Sequence, residues 1–82
     1  MPNYRTHDLY QACYLEASGN KLLRLEDDET DQRRIIFVFD SVPEQFIKGW
    51  QVGSALVNAV AYASSIRKLK RKLHEFQEAQ HG

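Results

Sequence analysis

The sequence is poor in the residues that commit a chain to special chemistry. It holds one cysteine, Cys13, so no internal disulfide can staple the fold and no cysteine-rich zinc cage can be built. Its few prolines and glycines mark no low-complexity or collagen-like tract, and no internal repeat is visible. The longest apolar run, Ile35 to Phe39, is far short of the roughly 20 residues that cross a bilayer. Pro2-Asn3-Tyr4-Arg5 stands where a secretory leader would carry apolar residues, so the expectation is a cytoplasmic protein without a membrane segment. An excess of one charge is missing as well: 11 Lys and Arg balance 11 Asp and Glu, which removes any argument from net charge for a polyanionic partner.

What is present is an ordinary globular composition, 43% hydrophobic and 27% charged, enough to build one core in a chain of this length and not two. A single domain over 1–82 follows. The pattern predicts an α+β fold: a helix, a two-stranded antiparallel hairpin, a short helix, and a long C-terminal helix packed on the sheet.

Thr6-His7-Asp8-Leu9 reads as a helix start with Thr6 as the cap, and Ser18-Gly19-Asn20 supplies a left-handed stop. Lys21 to Glu26 and Arg33 to Asp40 are the strands, the second rich in β-branched and aromatic residues. Asp27 to Gln32, without an apolar residue, is their solvated tip. Ile35, Phe37 and Phe39 point one way and Ile36 and Val38 the other, so both faces of this strand need a cover. Ser41-Val42-Pro43-Glu44 has the form of a capping box opening a short helix. Ala55-Leu56-Val57 reads either as an extended piece, which could add a short third strand, or as the first turn of the last helix; the extended reading makes Asn58 the next N-cap. From Ala59 to about Gln77, Ala59, Tyr62, Ile66, Leu69, Leu73 and Phe76 recur in steps of three and four, the period of a helix burying one seam.

Tyr4-Arg5-Thr6-His7-Asp8-Leu9-Tyr10, Gly19 before a leucine-rich strand, Ile36 to Asp40, Trp50 near Gly53, and Leu69-Lys70 together resemble a family of uncharacterised small bacterial and phage-associated proteins that open with a Tyr-x-Thr-x-Asp-Leu-Tyr-like segment. The likeness covers nearly the whole chain. It implies a fold and a cytoplasmic, mobile-element setting, and it carries over no catalytic or binding residue.

Enzyme chemistry finds little footing. Cys13 sits on the apolar stripe of the first helix, as a small buried hydrophobe would. His7, His74 and His81 share no metal-ligand spacing. The acidic run Glu26 to Asp31 lacks the glycine and closing glutamate of a calcium loop, and no glycine-rich loop can cradle phosphate. The reading is a non-enzymatic protein without cofactor or metal.

The feature with a functional accent is the cluster Arg67, Lys68, Lys70, Arg71 and Lys72. Around a seam centred on Leu69, Lys70 and Lys72 fall on opposite flanks and the rest on the far side, a broad positive face suited to a nucleic-acid backbone; Ser64, Ser65 and His74 could add hydrogen bonds. The plain counter-reading is a solvated helix surface favoured by the helix dipole. The alternative function is a protein–protein interaction module: a homodimer or clamp, motivated by the apolar surface that two strands leave uncovered and by the three-four seam, or a phage-type inhibitor, motivated by size and resemblance alone.

Overall fold

The computed structural model describes residues 2–31 and 33–81, without the side chains of residues 80 and 81. The loop residue Gln32 and the His81 side chain, both named above, thus lie outside the described residues. In chain order the elements are β1 (Tyr4–Thr6), α1 (Leu9–Ala17), β2 (Leu22–Asp27), β3 (Ile35–Phe39), α2 (Glu44–Gln51) and α3 (Ala59–His81). The fold is α+β, as the pattern predicts, and the sheet is antiparallel with order β1-β3-β2.

The most apolar strand takes the middle. Phe37 and Phe39 face α1 and the inner edge of α3, and one core holds them with Ala12, Cys13, Leu15 and Leu69, all at most 2% exposed. β2 meets this core through Leu22 opposite Phe39 and Leu25 opposite Phe37. Those leucines are three residues apart while their partners are two apart, so strict alternation would send one of them outward. A bulge between Leu22 and Arg24 absorbs Leu23 and restores both to the inner face.

The third strand is found at the N-terminal end, which corrects the expectation in two places. Tyr4–Thr6 pairs with Phe39–Phe37, whereas Ala55 to Val57 is neither strand nor helix. Thr6 is strand and not cap. The cap is Asp8, whose carboxylate accepts from the N–H groups of Tyr10 (2.9 Å) and Gln11 (3.2 Å). Thr6 is occupied elsewhere: its hydroxyl donates to Gln11 Oε1 at 2.6 Å and accepts the Asp8 N–H, while the Gln11 amide donates to the Tyr4 hydroxyl. The Tyr4-to-Asp8 stretch is thus a corner, clamped to α1 by buried Gln11.

The outer face of β3 is covered without a second layer. Ile36 and Val38 are 8% and 0% exposed. On that face Arg5 and Arg24 flank Val38, and Glu26 lies opposite Ile36. The Glu26 carboxylate takes one guanidinium from β1, Arg5 at 2.6 Å, and one from its own strand, Arg24 at 2.6 Å. Since β1 and β2 lie on either side of β3, the Arg5–Glu26 pair must arch over the central strand, laying its methylene stems on Val38 and Ile36. This lid supplies the cover that two strands alone lack.

Two helix ends and the aromatic contacts of α2 complete the frame. α1 closes in a Schellman arrangement, with Gly19 at φ +97° donating to Glu16 O and Asn20 to Leu15 O. The capping box at Ser41 does not form: Pro43, extended at ψ 139°, takes the N-cap position with no side-chain cap bond, which leaves Ser41 two residues outside the helix. α2 rests instead on aromatic contacts, Trp50 stacked on Tyr14 at 5.6 Å and Phe46 beside the same ring at 6.3 Å.

Candidate nucleic-acid interface

Asn58 opens α3 as expected, its Oδ1 accepting the Ala61 N–H at 3.0 Å and its carbonyl the Tyr62 N–H at 2.9 Å. Leu69 is fully buried and Tyr62, Ile66, Leu73 and Phe76 are half-buried along the same edge. Ala59, counted into that seam, is exposed, because the helix has not yet reached the core at its first turn. Fixing the inner edge fixes the outer one.

Arg67, Lys68, Lys70, Arg71 and Lys72 are all exposed. Lys68 reaches back to Glu16 Oε2 at 3.3 Å. The other four have no carboxylate partner within 4.0 Å among the described residues. The acidic loop does not neutralise them: none of its carboxylates comes within 4.0 Å of these cations, and Glu26, Asp28 and Asp31 are engaged locally. Asp28 accepts from the Thr30 hydroxyl at 2.7 Å, the Thr30 N–H at 2.9 Å and His7 at 2.9 Å, and these bonds hold its carboxyl down at about 2. Glu26 is held below the usual carboxylate range by hydrogen bonds from Arg24 and Arg5. Asp31 lies 3.5 Å from Arg33.

The auxiliary hydrogen-bonders divide. Ser64 is exposed and free to donate. Ser65 is buried, its hydroxyl bonded to Glu16 Oε1, because at four residues before Leu69 it falls on the inner edge. His74 is paired with Glu78 one turn on, at 3.0 Å, which dilutes the positive face beyond Lys72.

The fold adds a residue that sequence grouping misses. Lys21, just beyond the α1 stop, joins Lys68 and Lys72 around a groove of about 190 Å³ whose walls include Glu16 and Asn20. Three lysines and one glutamate line it, with Lys68 paired to that glutamate, a balance that favours an anion such as a phosphate oxygen. Lys21 stands far from the basic cluster along the chain, and only the packing of α1 on α3 brings them together.

Elsewhere Cys13 is sealed in the core, and burial pushes its thiol up to about 11, so it carries no thiolate at neutral pH. Among the described residues no three His, Cys, Asp or Glu side chains converge in a way that would hold a metal ion, and no helix is long and apolar enough to cross a membrane.

One family model, described as a domain of unknown function (DUF5659), matches residues 1–75. No curated protein and no solved structure matches the chain.

Proposed function

We propose that this chain, which belongs to the DUF5659 family, is a small non-enzymatic accessory protein that grips the sugar-phosphate backbone of a nucleic acid through the outer face of α3. The observation that carries the reading is the contrast in partners: Arg67, Lys70, Arg71 and Lys72 are exposed with no carboxylate within 4.0 Å among the described residues, although the chain as a whole is neutral. The groove at Lys21, Lys68 and Lys72 extends the face toward β2. Such contacts position a backbone without reading bases. We infer a cytoplasmic setting in bacteria or their phages, on the likeness of Tyr4 to Tyr10 to the opening segment described above.

The test is a titration with duplex and single-stranded oligonucleotides at rising salt. Four to five phosphate contacts correspond to a slope of about −4 in log affinity against log salt on duplex. Replacing Arg67, Lys70, Arg71 and Lys72 by Gln flattens that slope to about −1. Absence of binding at low salt overturns the reading.

A second reading, a protein-binding module, is favoured by a different feature. Val52, Leu56 and Val60 are 75%, 90% and 75% exposed where α2 turns into α3, more apolar surface than a short connection needs. Association that survives high salt, is lost in a Leu56→Ser, Val60→Ser double variant and persists when the α3 cations are neutralised would favour this reading over the first.

A further inference from the structure

β2 lies at the edge of the sheet, with one side unpaired among the described residues. Each strand that flanks β3 has one side unpaired. β1 offers three residues there, β2 six. Which main-chain groups of β2 face outward follows from two hydrogen bonds at the ends of its ladder: the Asp28 N–H donates to Arg34 O at 3.2 Å and the Asp40 N–H to Lys21 O at 2.9 Å. In an antiparallel pair alternate residues turn their N–H and C=O to the partner. Even-numbered residues of β3 therefore face β2, and Arg24 and Glu26, opposite Val38 and Ile36, spend their main-chain groups on that ladder. Leu25 and Asp27 turn theirs to the open side.

A symmetric antiparallel partner can centre on a residue of either set, but centring on Arg24 or Glu26 sets that charge against its own copy. Centring on Asp27 sets Asp27 against its own copy and Glu26 against Asp28 twice, six carboxylates in three opposed pairs. Centring on Leu23 falls on the bulge. Centring on Leu25 makes reciprocal N–H···O bonds between the two Leu25 residues and places Arg24 opposite Glu26 of the partner subunit, twice, in the closely spaced non-hydrogen-bonded positions where cross-strand side chains approach best. Charges and a bulge normally blunt a strand edge. Here the charges have both signs, in an order that is complementary to itself.

The inner side of the same edge carries an apolar recess. Between β2 and α3 lies a groove of about 330 Å³ with Leu22, Leu23, Leu25 and Phe76 on its walls and Lys72 and Glu75 at its rim. Leu23 is 39% exposed. Leu25 points to this side of the sheet, so the Leu25 side chain of a second copy enters beside it.

From these observations we propose that the protein forms a two-fold dimer by antiparallel pairing of β2 with β2 centred on Leu25, giving a continuous six-stranded sheet with both α3 helices on one face. The dimer does not depend on the polyanion reading, although it would bring two basic faces together.

Sedimentation equilibrium over a concentration series, without nucleic acid, tests it. The expected result is a concentration-dependent dimer. Arg24→Glu alone faces Glu26 of its copy, and Glu26→Arg alone faces Arg24, so each weakens self-association about tenfold or more, whereas the equimolar mixture restores both pairs and returns to within about threefold of the parent. Circular dichroism checks that each variant is folded. For the unaltered protein, amide exchange at Leu25 and Asp27 slows as concentration rises. A monomer at every concentration with fast exchange at Leu25 overturns the proposal and leaves the edge to an unrelated strand. A dimer indifferent to both reversals also overturns it, in favour of another face such as Val52 to Val60.

Discussion

Two surfaces of this protein use the same kinds of residue to different ends. On the outer face of the sheet, Arg5 and Arg24 converge on Glu26 and close over a buried valine. On the outer face of α3, Arg67, Lys70, Arg71 and Lys72 project from a helix whose hold on the core lies on its other side. The first set belongs to the fold, because its stems replace a missing layer; the second projects from the surface, with Lys72 alone among the four at the rim of an apolar groove. Charge counts would treat the two alike. Partner and burial separate them, and that separation points to α3 and not to the sheet as the surface available to a polyanion.

The largest blow to this contrast would fall on the inner edge of α3. Leu69→Ala should lower unfolding free energy by about 2–5 kcal/mol in urea denaturation, since Leu69 is sealed in the core; a loss near zero would mean that α3 is not held as described. The lid comes next. Arg5→Ala should cost about 1 kcal/mol, chiefly by exposing Val38, and Arg5→Met should recover most of it because the stem and not the charge does the covering.

Acid separates the two surfaces by sign. Asp28 and Glu26 have carboxyls depressed in the folded state, so their contribution is present above the ordinary carboxylate range and is lost as pH falls. For Asp28 the window runs from 3.8, the ordinary value, down to about 2. Melting temperature should fall over that interval and Asp28→Asn should flatten the fall. The smallest effect is the sharpest discriminator: neutralising the four α3 cations should shift stability by no more than about 0.5 kcal/mol, and a larger loss would place them in the fold after all.

How much of this could be read in advance depended on how each element declares itself. β3 and α3 were legible because five consecutive apolar residues and a three-four seam each admit one placement. β1 was hidden: Tyr4-Arg5-Thr6 is too short and too polar to look like a strand, and its pairing with β3 is non-local. Thr6 and Asp8 are both good caps, and nothing local shows that Gln11 draws the Thr6 hydroxyl away. Ser41 failed as a cap because the extended Pro43 moved the helix start beyond its reach. The basic face was visible as a run of cations, but Lys21 was not part of it, since proximity across α1 and α3 leaves no mark on neighbouring letters.

The lid over β3 also sets an order of events. β2 and β3 are joined by a short turn and can zip together early, whereas β1 must close a long loop before Arg5 reaches Glu26. Until it does, Ile36 and Val38 stand bare on the nascent hairpin, an apolar stripe open to other chains. Pulse-labelled exchange during refolding should therefore find the β2–β3 amides protected before those of Tyr4 to Thr6, and refolding yield should drop with concentration more steeply when Arg5 is truncated.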